Sequence, residues 1–142
     1  MSKITRDIAV LGRYGTAFRG EKLVPFGLKA GHTPYLTRIA MYPGISQDKL
    51  AQKLFLNKSS VARQVAALEE DGFVIRKPSA SDKRVMELYL TEKAEAIMPQ
   101  IRQILQEWEH VLTDDLTEEE TEVISQILAK MKEKAAAWME AH

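Results

Sequence analysis

The sequence predicts a mainly α-helical chain in which a small β-hairpin follows two short adjacent helices. Residues 46–71 contain two separately capped helical segments joined by a short turn. Residues 73–90 contain two short apolar strands separated by a basic tip. Apolar residues also recur at helical spacing in residues 3–20 and 91–142. Together these observations predict a winged helix-turn-helix with long N- and C-terminal dimerisation helices.

The N-terminal part is predicted to contain two helices separated by a glycine- and proline-containing connection. Residues 3–20 form the first, which is amphipathic. Thr33 is expected to cap the second helix, with Pro34 in its favoured first position. Pro43 and Gly44 then end that helix. The apolar side of the first helix comprises Ile4, Ile8, Leu11, Tyr14 and Phe18.

The two adjacent helices of the central segment have clear start and stop signals. Ser46 and Asn57 are suitable N-caps, and Gly72 is a suitable C-cap for the second helix. Apolar residues of the second helix must face the first, which leaves a polar face near its N-terminal end. Such side chains read base edges or hold phosphates, and an ordinary solvated helix face is the alternative. This polar face consists of Lys58, Ser59, Ser60, Arg63 and Gln64.

A basic hairpin follows the second of these helices. Residues 73–75 form a short apolar strand and residues 85–90 alternate in polarity, so the residues between them form a hairpin tip. Four basic side chains on this hairpin predict contact with a DNA groove or with phosphates. Asp82 is expected to hold the hairpin or Arg63 by an ion pair, because a carboxylate facing phosphate would be repelled. The basic side chains are Arg76, Lys77, Lys83 and Arg84.

These segments resemble a known protein family. The stretches PGISQDKLA, NKSSVARQVAALEEDGFVIR and SDKRVMELYLT are similar to parts of the MarR family of bacterial transcription regulators. The family's Asp-x-Arg wing signature falls on Asp82 and Arg84, and its leucine-threonine exit from the wing falls on Leu90 and Thr91. The resemblance implies a winged helix-turn-helix regulator that binds double-stranded DNA as a homodimer.

The C-terminal part is predicted to contain two long helices. Thr91 caps the first, which reaches about residue 112, and Pro99 is expected to kink this helix rather than split it. Thr117 and Glu120 form a capping box at the start of the last helix. The apolar stripes of both helices exceed what a helix-turn-helix core needs.

A second copy of the chain is expected to cover these stripes around a two-fold axis. Packing of the two helices within one chain is the alternative. The family resemblance also implies a dimer built from the N- and C-terminal helices. The predicted dimerisation residues are Ile4, Ile8, Leu11, Ile124, Leu128, Met131 and Trp138.

The formal net charge of zero hides two segments of opposite sign. Residues 1–90 hold 15 basic and 8 acidic side chains, whereas residues 91–142 hold 5 basic and 12 acidic ones. The basic segment carries the helix-turn-helix, as DNA binding requires, and the acidic segment is expected to point away from DNA.

Composition argues against several other classes of protein. The absence of cysteine excludes disulfides, thiolate zinc sites and thiol-based oxidant sensing. The three histidines are far apart and lack metal-ligand spacing, and no glycine-rich phosphate loop is present. We therefore expect no enzymatic activity, no cofactor and no metal. The N-terminus lacks a secretory pattern and no apolar run is long enough to span a membrane, so a cytoplasmic location is expected.

A small-molecule pocket is an open question at this level. In the MarR family, phenolic or other lipophilic ligands often bind between the dimerisation helices and the DNA-binding lobe. Arg38 could hold a carboxylate, and the tyrosines could stack on a ring. The alternative is that Tyr14 and Phe18 belong to the core and Arg38 is a surface charge. The matching positions are Tyr14, Phe18, His32, Tyr35 and Arg38.

The sequence therefore predicts one MarR-like domain over residues 1–142. Residues 33–90 form its DNA-binding lobe, and residues 1–20 and 91–142 form its dimerisation helices. The expected function is a homodimeric repressor that binds a pseudo-palindromic operator and is released by a small aromatic or lipophilic ligand. The alternatives are a ligand-insensitive architectural DNA-binding protein and a helical protein-interaction dimer.

Overall fold

The computed structural model describes residues 3–142, so the first two residues of the predicted N-terminal segment lie outside the described residues. The helices are α1 (Lys3–Leu23), α2 (Thr33–Met41), α3 (Gln47–Leu54), α4 (Lys58–Glu70), α5 (Glu92–Thr113) and α6 (Glu118–Ala141). The strands are β1 (Ile45–Ser46), β2 (Val74–Pro78) and β3 (Met86–Leu90). Two 3₁₀ turns, Val24–Phe26 and Ala30–His32, connect α1 to α2. The predicted fold class, mainly helical with a β-hairpin wing, is confirmed.

The chain divides into two compact units, one that ends at Gln106 and a second, Glu107–His142. The first unit has a continuous apolar core to which every element from α1 to α5 contributes. Its ten largest fully buried side chains are Phe73, Leu23, Leu36, Ile39, Leu50, Leu68, Leu88, Ile101, Val61 and Val65. This core fixes α3, α4 and the sheet together as a helix-turn-helix lobe with its wing.

The sheet contains one strand that the sequence did not predict. Its order is β1-β3-β2, with both pairings antiparallel. Ile45 of β1 pairs with Leu88 of β3, and Val74 of β2 pairs with Leu90. A two-residue strand has too few positions for a visible alternation, and it exists only because β3 packs beside it. The wing is therefore anchored to the start of α3 as well as to the end of α4.

The predicted helix N-caps at Ser46, Asn57 and Thr91 are confirmed. Ser46 Oγ accepts the backbone N–H of Lys49 at 3.1 Å, and Asn57 Oδ1 accepts that of Ser60 at 2.8 Å. Thr91 Oγ1 likewise accepts the N–H of the residue three positions later at 3.1 Å. Each cap satisfies a backbone donor that would otherwise lack an intrahelical partner.

The predicted cap at Thr33 is wrong. A 3₁₀ turn leads directly into α2, and His32 already has helical angles of φ −81° and ψ −23°. An N-cap side chain needs an extended backbone, which this junction lacks. Thr33 Oγ1 instead donates a hydrogen bond to the carbonyl of Ala30 at 3.0 Å. The first helix is also longer than predicted, because it continues to the fully buried Leu23.

The end of α4 is a Schellman motif. Gly72 has φ +83°, a left-handed angle that glycine adopts without a Cβ penalty. The N–H of Gly72 bonds to the carbonyl of Glu69 at 3.1 Å, and that of Phe73 bonds to Leu68 at 2.9 Å. The chain therefore leaves α4 sharply and enters β2 after only three residues. The predicted stop at Gly72 is confirmed.

The long helix α5 is continuous through Pro99. Proline cannot donate the backbone bond that the carbonyl of Glu95 would receive in an ideal helix. Met98 and Ile101 on either side are both buried, so apolar packing stabilises the helix before and after the proline. The helix is therefore not split.

The second unit contains the end of α5 and the whole of α6. Thr117 and Glu120 form the predicted capping box, with reciprocal bonds of 3.0 Å between each side chain and the other residue's backbone N–H. No described residue of α6 is buried. None of the helices from residue 3 onward is long and apolar enough to cross a membrane.

Candidate nucleic-acid interface

The N-terminal end of α4 presents the predicted polar face to solvent. Asn57 Oδ1 accepts the Ser59 hydroxyl at 2.8 Å while it caps the helix, so this serine also supports the cap. Arg63 Nη2 donates to Ser60 Oγ at 3.3 Å, and the Arg63 side chain is exposed. Lys58 Nζ lies 3.5 Å from Asp48 Oδ2 in an exposed pair. Such a surface pair is worth about 0–1 kcal/mol, so Lys58 can exchange it for a phosphate.

Gln64 is exposed on α4 and faces the junction before α2. His32, which is buried at this junction, accepts the backbone N–H of Lys29 through Nδ1 at 3.1 Å. Burial, followed by the charge of Lys29, lowers the pKa of His32 below its ordinary value of 6.5. Interactions with Asp71 and with the Gln64 side chain oppose this shift. The ring is therefore neutral at pH 7, and it links the α1–α2 connection to α4.

The wing tip is organised by Asp82. Its Oδ1 accepts the backbone N–H of Arg84 at 3.0 Å and Arg84 Nε at 3.1 Å, and its Oδ2 accepts Nη2 at 3.3 Å. These bonds to Arg84 lower the pKa of the Asp82 carboxyl. The Arg84 side chain is nevertheless 91% exposed. Asp82 thus holds its own hairpin rather than Arg63, and it orients an arginine that remains open to solvent.

The other basic wing residues differ in their surroundings. Lys83 is exposed at the tip. Lys77 is exposed on β2, and its Nζ lies 5.1 Å from the centre of the Tyr89 ring, a cation–π distance. Arg76 is half-buried at the base of β2, where it bonds to Glu69 and Gln47. The structure therefore brings Lys77, Lys83 and Arg84 to the surface of the hairpin, whereas Arg76 is half-buried and bonded to both helices of the helix-turn-helix.

The five residues predicted to bind a ligand differ in their exposure. Tyr14 is exposed, whereas His32 and Tyr35 are buried, and burial raises the pKa of Tyr35. Phe18 and Arg38 are half-buried, and Arg38 Nη1 lies 3.9 Å from the Met41 sulfur. A cavity of about 270 Å³ is lined by other residues: Ile39, Ala40, Pro43, Tyr89, Leu90, Glu95, Met98, Pro99 and Arg102.

The predicted dimerisation residues are mostly solvent-exposed in the single chain. Ile4, Ile8 and Leu11 form an exposed apolar side of α1. In α6, Ile124 is 47% and Trp138 is 59% exposed, and Leu128 is exposed beside them in the stripe. Met131 is half-buried. Apolar faces of this extent are unusual on a monomeric protein. Among the described residues, no cluster of three or more potential metal ligands exists.

The fold and its polar surface define a winged helix-turn-helix DNA-binding protein. The MarR family model matches residues 28–86, which include both helices of the helix-turn-helix and most of the wing. The chain belongs to the MarR family, as the sequence predicts. It is a transcriptional regulator that binds double-stranded DNA as a homodimer.

The similarity to known proteins extends over almost the whole chain. HTH-type transcriptional regulator YybA of Bacillus subtilis (strain 168) is 30% identical over 132 residues, covering 93% of this chain and 88% of the relative. A crystal structure of a MarR transcriptional regulator from Methanosarcina mazei Go1 has 31% identity and a TM-score of 0.84, covering 93% of this chain and 95% of that one. A crystal structure of a MarR family transcriptional regulator from Listeria monocytogenes complexed with 26mer DNA has 30% identity and a TM-score of 0.91. The match covers 96% of this chain and 91% of that one.

Proposed function

We propose that this regulator is a cytoplasmic repressor that occupies a pseudo-palindromic operator and has no catalytic activity. One observation carries the proposal: the exposed N-terminal end of α4 and the exposed Arg84 of the wing belong to the same compact lobe. A helix-turn-helix lobe inserts its second helix in the major groove, and its basic wing reaches the neighbouring backbone or minor groove.

Arg63 and Gln64 are the candidates for base readout. Both are exposed near the N-terminal end of α4, where side chains of a recognition helix meet base edges. An arginine pairs best with guanine and a glutamine with adenine, because both can form two hydrogen bonds. Ser59, Ser60 and Lys58 surround them and suit phosphate contacts.

Arg84 is the candidate for the minor groove. Asp82 holds its backbone and guanidinium, so little conformational entropy is lost when it enters a groove. The carboxylate also neutralises part of the charge, which a simple phosphate-binding site would not need. This arrangement favours a positioned arginine that reads groove width over a mobile one that only neutralises phosphate.

The exposed apolar sides of α1 and α6 support the dimerisation seam that we propose, with Ile4, Ile124 and Trp138 among its residues. A two-fold dimer presents two equivalent recognition helices. The operator is therefore expected to contain two inverted half-sites about one helical turn apart, roughly 34–36 Å between centres.

Release by a small aromatic or lipophilic ligand is part of the same proposal, with Arg38 as the partner of a carboxylate. A ligand of this kind acts only by binding the DNA-incompetent arrangement more tightly. Arg38 is half-buried, and its Nη1 lies 3.9 Å from the Met41 sulfur. A panel of aromatic acids should release the operator, and Arg38→Ala should blunt that release. If no acid in the panel changes operator binding, the ligand-insensitive architectural alternative is favoured.

Selection of bound sequences from random DNA tests the proposal directly. A repressor of this kind should enrich DNA that contains an inverted repeat. An architectural protein should enrich DNA that shares only a shape or a base composition, and a protein-interaction dimer should enrich no DNA. On the enriched operator, Arg63→Ala should change which base is preferred at the position that Arg63 contacts. The loss of discrimination between the right and the wrong base there should be about 1–3 kcal/mol. Arg84→Ala should weaken binding to all sequences and reduce the salt slope by about one unit.

Asp82→Ala separates a positioned arginine from a surface charge. If Asp82 orients Arg84, its removal should weaken binding although it removes a negative charge. Glu70→Gln controls for the lost negative charge, because Glu70 is an exposed acidic residue at the end of α4, outside the wing tip. Tighter binding by Asp82→Ala would show that the aspartate only repels DNA.

A further inference from the structure

A three-membered side-chain cluster lies where the wing leaves the recognition helix. Arg76 of β2 donates through Nη2 to Glu69 Oε1 of α4 at 3.1 Å. Its Nη1 donates to Gln47 Oε1, at the start of α3, at 3.4 Å. The Arg76 and Glu69 side chains are only 30% and 39% exposed. One guanidinium thus bonds to both helices of the helix-turn-helix from the first half of the wing.

The cluster joins Gln47 to two residues that lie much later in the sequence. Gln47 and Arg76 are 29 positions apart, and Glu69 and Arg76 are seven apart across the sharp turn at Gly72. A planar guanidinium holds its donors in a fixed fork that suits two partners in different directions, whereas a lysine ammonium is a compact charge on a flexible stem and does not keep this geometry. A cation beside the last turn of α4 also complements the negative end of the helix dipole.

We propose that Arg76 is a positioning residue that sets the angle of the wing relative to α4, and that it does not itself contact DNA. This inference rests on the proposed roles of α4 and Arg84 in DNA binding. It reassigns a residue that the sequence places among the DNA contacts, because the guanidinium bonds within the lobe while Arg84 stays exposed.

The geometry of the wing explains why such a residue matters. The chain passes from α4 to β2 through a turn of only three residues, so the hairpin angle depends on few local contacts. Strand β2 continues two residues beyond Arg76 and the hairpin tip follows, so residues 77–80 span at most about 13 Å, and a tilt of about 10° at Arg76 moves the tip by about 2 Å. A shift of that size is about a third of the width of the minor groove, roughly 6 Å, so it would misplace Arg84 within the groove.

The positioning role and a direct DNA contact predict opposite changes in operator affinity for the variant Glu69→Gln. If Arg76 were a DNA contact restrained by Glu69, the variant Glu69→Gln would free it and remove a repulsive charge, so operator binding would tighten. If Arg76 positions the wing, Glu69→Gln should weaken operator binding by about threefold to tenfold. Glu70→Gln is the matched control, because it removes the same charge from the adjacent, exposed residue.

A second variant tests the same inference through Arg76. Arg76→Lys keeps the positive charge, so a phosphate contact would survive, whereas the fixed geometry of the guanidinium between Glu69 and Gln47 would be lost. Positioning predicts that Arg76→Lys and Arg76→Met weaken binding to a similar extent, with a salt slope equal to that of the wild type. A phosphate contact predicts that Arg76→Met alone weakens binding, with a slope reduced by about one unit.

Reversal of the pair provides a rescue. Glu69→Arg combined with Arg76→Glu restores an ion pair with the same net charge, so positioning predicts partial recovery relative to Arg76→Glu alone. Thermal unfolding of each variant shows that it is folded before its DNA affinity is compared. If Glu69→Gln does not fold, Arg76→Lys carries the test.

The outcomes separate this inference from the proposed function. Failure of the wild-type protein to bind any selected DNA would overturn the proposed function. Normal wild-type binding, with equal or tighter binding by Glu69→Gln and Arg76→Lys, would overturn only the positioning role. Weaker binding by both at an unchanged salt slope would support it.

Discussion

The DNA-binding lobe and the C-terminal helix differ most clearly in where their apolar side chains lie. In residues 33–90, apolar residues such as Leu50, Leu68 and Leu88 are completely buried. In α6, apolar residues at equally regular spacing are exposed, and no described residue of that helix is buried. Similar apolar periodicity therefore has different consequences in the two regions. The lobe buries its apolar residues in its own core, whereas the apolar residues of α6 stay exposed unless a second surface covers them.

The largest effect on operator affinity is expected from changes to the exposed apolar stripe of α6, which a partner subunit is proposed to cover. The double change Ile124→Asp, Trp138→Asp places charges on the exposed apolar stripe of α6 and should yield monomers, because a buried unpaired carboxylate is very costly. Operator affinity should fall by at least about a hundredfold, since two half-sites no longer bind together. Sedimentation velocity and operator titration measure the two results.

Ser125→Asp is the control for that pair, because Ser125 is an exposed polar neighbour on the same helix. It should remain dimeric. An unchanged dimer in the double variant would show that the seam lies elsewhere.

The next effect tests the self-contained lobe. Leu68→Ala leaves a cavity in a fully buried site and should lower the free energy of unfolding by about 2–5 kcal/mol. Leu128→Ala makes the same truncation on the exposed face of α6, so any loss of stability should arise from weaker dimerisation. Denaturation at several protein concentrations separates them. The difference between Leu128→Ala and wild type should depend on concentration, and a concentration-independent loss would contradict an intersubunit position.

A smaller effect is expected at the turn between α4 and the wing. Gly72→Ala places a Cβ at φ +83°, which costs about 1–2 kcal/mol for a residue with a side chain. The cost is conformational, because the nearest atom to such a Cβ is the flexible Lys93 Nζ at 3.8 Å. Gly20→Ala, inside α1 with no atom within 4 Å, should be neutral or stabilising. Equal losses at both sites would argue against strain at the turn.

The smallest effect concerns His32 and pH. Its pKa is lowered in the folded chain, so the unfolded state binds more protons below about pH 6.5. The His32 contribution to stability is therefore present above pH 6.5 and is lost as pH falls through the lower folded-state pKa. His32→Asn keeps an acceptor near the Nδ1 position and cannot titrate. Its unfolding free energy should decrease less steeply with falling pH than that of the wild type. Parallel pH profiles would exclude His32 as the group responsible.

Much of the DNA-binding lobe could be predicted because its signals are local. Ser46, Asn57 and Thr91 each bond to the backbone N–H three residues later, so the partner is present in the adjacent sequence. The same holds for the capping box at Thr117. Gly72 is local as well, since a left-handed angle after an apolar helix favours glycine. The recognition helix and the wing follow from these signals and from apolar spacing.

The sequence alone could not show which residues the packing brings together. Arg76 belongs to a basic stretch that suggests DNA contact, yet the fold places Glu69 and Gln47 around it. Strand β1 exists because Ile45 meets Leu88, 43 positions later in the chain. Hydrogen bonds between neighbours in sequence form wherever the helix forms, whereas these pairings depend on how α3, α4 and the wing pack on a shared core. Tertiary packing therefore decides which basic side chains remain free for DNA and which hold the lobe together.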